Sequence, residues 1–190
     1  MTAIEVNWFK INTPHMKKYI LATLLLSIQF GLFAQEFPVI KNYGGIYDIP
    51  EATAKPDPAR QYKIIVDLVS ADDNPTKLAW SLNNVARMIN LHAIGGVPPT
   101  NIHVVLAVHG GMTTSLLSEN AYQSRFQVAN PHIDLYKALH DAGVRIIVCG
   151  QSMKARLVDP DDLLEHVEIA TSMLTTVSTF QQDGYVVFKF

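Results

Sequence analysis

A chain of 190 residues has room for one domain with a sizeable core. Its 15 Lys and Arg against 17 Asp and Glu leave a net charge of −2, which excludes the basic footprint of a nucleic-acid binder. A single cysteine excludes an intramolecular disulfide, so the thiol is either shielded or reactive and used.

Near the N-terminus, Met16-Lys17-Lys18 is a short basic start. Tyr19 to Phe33 is apolar except for Thr23, Ser27 and Gln29, and Leu32-Phe33-Ala34 then meets Gln35. These are the three regions of a secretory signal peptide, residues 16–34. An apolar run of about 15 residues is short for a membrane span. An uncleaved anchor is the alternative, because Leu32 is bulkier than the small residue preferred at that position before a cut. A membrane partner enters only in that case. Residues 1–15 fit no targeting pattern and read as an over-extended start. The expected mature chain, Gln35 to Phe190, carries 12 basic and 16 acidic side chains, a net of −4, and is expected to be exported to a periplasmic or extracellular space. No cysteine lies near the cut, which excludes a lipid-modified lipoprotein.

Residues 35–60 hold Gly44-Gly45 and Pro38, Pro50, Pro56 and Pro58 without a sustained period. They read as an extended lead-in laid over the domain, docked through Tyr43, Ile46, Tyr47 and Ile49. Tyr62 to Val69 is the first strong strand. Asp73 or Asn74 is a candidate cap for a helix from Thr76 to about Ile94, with Pro75 in its first turn. Leu78, Leu82, Val85 and Ile89 recur there at helical spacing. Asn83, Asn84 and Asn90 are read either as ligand or subunit contacts or, more plainly, as solvated positions.

Asn101 to Val108 is the second strand and runs into His109-Gly110-Gly111. That places an imidazole at a strand's carboxyl end, where it can take a proton from a thiol or pair with a thiolate. A plain strand-to-helix turn accounts for the same three residues. Neither phosphate-loop pattern is present. Thr113 to Gln127 is short-helix material, broken at Asn130-Pro131. Ile133, Leu135, Tyr136 and Leu139 then mark a helix that stops at Gly143.

Val144 to Arg156 reads V-R-I-I-V-C-G-Q-S-M-K-A-R. A short β-branched run with almost no polar interruption is the mark of a parallel strand buried on both faces. Cys149 therefore ends a strand, at the edge where ligands gather in open α/β sheets. A helix starting near Gln151 aims unpaired N–H groups at the sulfur, and Lys154 and Arg156 add positive charge; all of these favour thiolate. The competing reading is a buried, inert cysteine. Asp159, Asp161 and Asp162 lack an acceptable ligand spacing, so an acidic helix start is preferred to a metal site and no metal is assigned. His166 to Ala170 suggests a short fourth strand, Ser172 to Gln182 a helix, and Tyr185 to Phe190 a last strand. The order predicts an α/β protein, a three-layer α/β/α sandwich around a mainly parallel five-stranded sheet.

From Tyr62 to the C-terminus the chain resembles the DsrE/DsrF-like family, small α/β proteins that include sulfur-relay subunits. The matching parts are the first strand with its Asp-rich loop, the strand ending at His109-Gly110 and the Asn130-Pro131 break. They continue through Ala142-Gly143-Val144, V-C-G-Q-S-M-K-A-R, and Gln181-x-x-Gly184-Tyr185. The resemblance implies a flavodoxin-like domain over residues 61–190, a homo-oligomer (trimer or hexamer), and a persulfide-forming cysteine that needs no cofactor. Carried onto this sequence, Cys149 is the acceptor thiol with His109 as a catalytic neighbour. Gly150, Gln151 and Ser152 surround it, and Gly110 and Asn130 join them in substrate binding. The implied function is a sulfur carrier or sulfurtransferase that meets a thiol or persulfide donor and an acceptor. A non-catalytic oligomeric module that binds a small ligand or acts as a scaffold is the alternative. Relay members are cytoplasmic, so an export signal separates this chain from their pathways.

Overall fold

Five strands, each short and rich in Val and Ile, form one sheet in the computed structural model, which describes residues 34–190. The expected start at residues 1–15 and nearly all of the expected signal at 16–34 lie outside the described residues. The strands are β1 (Tyr62–Leu68), β2 (Ile102–Val108), β3 (Arg145–Cys149), β4 (Val167–Ala170) and β5 (Val186–Lys189). They lie in the order β4-β3-β2-β1-β5, and all four neighbouring pairs are parallel. Each parallel step needs a crossover, and helices supply most of them: α1 (Trp80–Ile94), α2 (Glu119–Phe126), α3 (Ile133–Asp141), α4 (Gly150–Arg156) and α5 (Met173–Gln182).

The two-residue period of the strands divides the core. Ile64, Val66, Val104, Leu106, Ile146 and Val148 face a large cluster with Leu82, Val85 and Ile89 of α1 and Leu135 and Leu139 of α3. Ile65, Val105, Ala107 and Ile147 face the opposite way, under Met173, Val177 and Phe180 of α5. This is the three-layer sandwich the sequence predicts. The central strands show little alternation in sequence because both of their faces are covered.

Helix α1 begins at Trp80, four residues later than the spacing suggested. The Asp72 carboxylate accepts from Asn74 N–H at 2.9 Å, and the Asn74 side chain accepts from Thr76 N–H at 2.9 Å. These local turns hold the backbone that would have made the first helical turn. The true N-terminus carries no side-chain cap of its own; the Ala79 N–H donates to Nε2 of buried His132 at 3.2 Å.

The segment before β1 belongs to the same compact unit, Glu36–Phe190. Ile40 and Ile46 are buried in it, whereas Tyr47 and Ile49, expected as docking contacts, are exposed. What holds the segment is Asn90, which is wholly buried rather than solvated. Its Oδ1 accepts from the N–H groups of Val39 (3.0 Å) and Ile40 (2.9 Å). Its Nδ2 donates to the carbonyls of Ile40, Tyr43 and Gly44. Gly44 can lie against α1 only without a side chain, since a Cβ there would sit 2.1 Å from Arg87 N.

Candidate functional site

Strand β3 passes into α4 with no intervening loop, so Cys149 is both the last strand residue and the residue preceding the first helical turn. Its register partner on β4 is Ala170, and the chain continues through Thr171 and Ser172 into α5. That passage lies tight over the cysteine's own turn: a Cβ at Gly150 would be 2.8 Å from the Ala170 carbonyl oxygen. Gln151 Nε2 donates to the Thr171 carbonyl at 3.4 Å. The sulfur thus lies where the starts of α4 and α5 converge.

The electrostatics follow from that convergence. Burial opposes ionisation of Cys149, but the backbone N–H of Met173, the Ser152 hydroxyl and the backbone N–H groups of Ser152 and Gln151 outweigh it. The net effect holds the thiol below its ordinary range. Ser152 is oriented for this work. Its Oγ accepts from Gly110 N–H at 3.1 Å, which leaves the hydroxyl hydrogen free for the sulfur. Gly110 takes a left-handed φ of +55° at this contact, and a Cβ on it would meet the Val69 carbonyl oxygen at 2.9 Å. Cys149 is only 6% exposed, so it combines the burial of an inert cysteine with the donor set of an activated one.

His109 follows β2 directly and keeps an extended backbone (φ −152°, ψ −173°). Val108 pairs with Val148, so one further step places His109 level with Cys149 on the adjacent strand. Its Nε2 is engaged by the Asp67 carboxylate at 2.5 Å, and the other Asp67 oxygen lies 3.5 Å from Lys189 Nζ. The groups that draw the thiol down are amides and a hydroxyl; His109 is not one of them. Asp67, which sequence reasoning passed over, was signalled by being the one acid in the run Y-K-I-I-V-D-L.

Asn130 is not part of this group of contacts, in contrast to its expected place in substrate binding. Its Nδ2 donates to the carbonyls of Ser115 and Leu117, and its Oδ1 accepts from the backbone N–H and Nδ1 of His132. It fastens a buried loop. The Asp159 side chain likewise accepts from Asp161 N–H at 3.0 Å and closes a short 3-10 turn. Above the carboxyl ends of β1 and β2 a cleft of about 640 Å³ lies between the loop 69–75 and Gly110-Gly111, with Lys77, Arg125 and Arg156 also in its wall. Gly110 connects that cleft to the thiol through its bond to Ser152.

A family model described as the DsrE/DsrF-like family matches residues 63–190, from the second residue of β1 to the end of the chain. The chain belongs to the DsrE/DsrF-like family. The family is associated with sulfur relay, and its matched stretch contains Asp67, His109, Cys149 and Ser152. Two solved structures are similar. The protein of unknown function MTH1491 from Methanobacterium thermoautotrophicum has a TM-score of 0.51 and 18% identity, covering 68% of this chain and 99% of that one. The ychN protein from E. coli has a TM-score of 0.46 and 19% identity, with the same coverages of 68% and 99%. No curated protein matches the chain in sequence. As a DsrE-like domain the chain shares a fold with MTH1491, and at that identity the likeness extends no further than the fold.

Proposed function

We propose that the protein is an exported sulfur carrier that holds sulfane sulfur as a persulfide on Cys149. The observation that carries this reading is the ring of donors that lowers the thiol pKa in spite of burial. A thiolate is the nucleophile in sulfur exchange. In the loading step the Cys149 thiolate attacks the outer sulfur of a donor persulfide. The donor's S–S bond breaks, its inner sulfur leaves as a thiolate and takes up a proton, and a new S–S bond forms on Cys149. Unloading is the same exchange with an acceptor thiolate attacking the outer sulfur. No oxidant, metal or organic cofactor enters either step.

The test is intact-protein mass spectrometry after exposure to glutathione persulfide, together with alkylation of the free thiol at neutral pH. Gain of one sulfur atom by the wild type and none by Cys149→Ser supports the carrier. A thiol that alkylates like a free cysteine and never gains sulfur refutes it. Export is tested separately by sequencing the N-terminus of the mature protein, where a chain beginning at Met1 removes both the signal and the over-extended start.

The 6% exposure of Cys149 favours a second reading, a non-catalytic homo-oligomeric module in which the thiol is core. Exposed Trp80, Val186, Val187 and Phe188, the last three on edge strand β5, suit the assembly both readings expect. Under this second reading Cys149→Ser leaves assembly and ligand binding intact, and no sulfur transfer exists to lose.

A further inference from the structure

Asp67, His109 and Cys149 stand at the carboxyl ends of three consecutive neighbours in the sheet, β1, β2 and β3. Asp67 is an unusual residue for its place, a carboxylate 9% exposed within the buried run Ile64 to Leu68, whose other members are Ile, Val and Leu. Buried carboxylates are rarely tolerated without partners. This one has two, the His109 imidazole at 2.5 Å and the Lys189 ammonium at 3.5 Å. The side chains of Asp67 and His109 are 12% and 15% exposed, so the contact is shielded from water, while Lys189 at 67% is not.

We propose that Asp67 is a positioning residue for sulfur transfer, holding the His109 imidazole with its proton on Nε2 so that Nδ1 can exchange protons with the thiols that meet Cys149. The inference rests on the carrier reading above and goes past it in assigning the proton transfers. A carboxylate at Nε2 accepts only, so the neutral imidazole carries its hydrogen there and leaves Nδ1 with a lone pair. During loading, the protonated imidazole gives its Nδ1 proton to the departing donor thiolate as the S–S bond breaks. During unloading, Nδ1 takes the proton from the acceptor thiol as that sulfur attacks the outer sulfur of the persulfide and Cys149 leaves as thiolate. Each proton lost in one half-reaction is regained in the other. The charge around the imidazole is well defined. Asp67 and Lys189 offset each other, Cys149 is on the neighbouring strand, and α5, which covers this face, carries no ionisable side chain.

Transfer is measured on the full chain, with glutathione persulfide to load Cys149 and free cysteine to unload it, as a function of pH. Asp67→Asn, His109→Gln and the double variant are compared. General acid–base catalysis is worth roughly 10²- to 10⁴-fold, and an amide that lets the imidazole choose the wrong tautomer forfeits much of it. The expected result is that each single variant slows unloading at least about tenfold and flattens its pH profile. The double variant is then no slower than His109→Gln, because Asp67 acts through the imidazole alone. Multiplying effects in the double variant, or an unchanged pH profile in Asp67→Asn, overturns the proposal. The ring ¹⁵N resonances of His109 in the persulfide-loaded wild type, where the cycle leaves the imidazole neutral, give a readout that needs no variant: an Nε2–H tautomer is expected, and Nδ1–H overturns it. Failure of the wild type to gain sulfur sinks the carrier, whereas loading with an ordinary unloading profile in both single variants sinks only the proton relay.

Discussion

Acid should loosen this fold through one imidazole. His132 is 2% exposed, and burial pushes it down to about 4 from an ordinary 6.5. Its Nε2 accepts from Ala79 N–H and its Nδ1–H donates to Asn130 Oδ1, so the neutral ring joins the start of α1 to the loop before α3. A proton on Nε2 would remove that acceptor and place a charge in the core. Well above pH 6.5 the ring is neutral whether the chain is folded or not, and no penalty exists. As the pH falls, the unfolded chain takes up the proton first, and stability drops by at most about 1.4 kcal/mol per pH unit. By pH 5 the loss is about 2 kcal/mol, and it levels off at about 3 kcal/mol once the pH is below the folded value. That is a large share of a stability of typically 5–15 kcal/mol. The assay is urea unfolding of the wild type and His132→Gln from pH 7.5 to 4.5. The glutamine keeps an acceptor and cannot titrate, and carboxylate effects common to both proteins cancel in the difference. The variant is expected to be less stable at pH 7 and to lose the difference as the pH falls. Parallel curves over the whole range would refute the reasoning.

Three further outcomes follow from the packing. Ser152→Ala removes the hydroxyl that faces the Cys149 sulfur, so the thiol pKa rises and alkylation at neutral pH slows by roughly tenfold, the worth of one hydrogen bond to a charged group. An unchanged rate–pH curve would mean that the amides suffice. Gly150→Ala sets a methyl group 2.8 Å from the Ala170 carbonyl, costing about 1–3 kcal/mol in thermal unfolding and displacing the approach to α5; a neutral substitution would show that this passage gives way freely. Asn90→Leu fits the volume but strips the partners from Val39 and Ile40, at about 1–3 kcal/mol for each buried group left unpaired. Limited proteolysis should then cut within residues 36–60 before the rest of the domain, and equal protection in the variant would contradict the clamp.

The strands were readable because burial on both faces favours unbroken apolar, mostly β-branched runs, and 64–66, 104–108 and 146–148 supply them. Cys149 could be placed at a strand end for the same reason. Its concealment could not, since the chain that passes over it, Ala170 to Ser172, arrives 21 residues later and is brought there by the β3–β4 pairing. Only one of the two helix starts around the sulfur was visible locally; the Met173 amide is a contact across the sheet edge. Asn90 and Asp67 are a different case, because periodicity did place them inside. Asn90 follows Leu82 and Ala86 at intervals of four on the buried stripe of α1, and Asp67 shares a strand face with Ile65. Their polarity argued for solvent while their spacing argued for the core. Spacing decides in such a conflict, because a helix or strand cannot turn one residue outward without turning the whole face. The polar side chain must then find partners inside: the five backbone groups held by Asn90, and the imidazole and ammonium held by Asp67. A lone polar residue on an apolar stripe is therefore a sign of a specific buried bond. In this chain one such bond ties down the lead-in segment, and the other lies one strand away from the thiol.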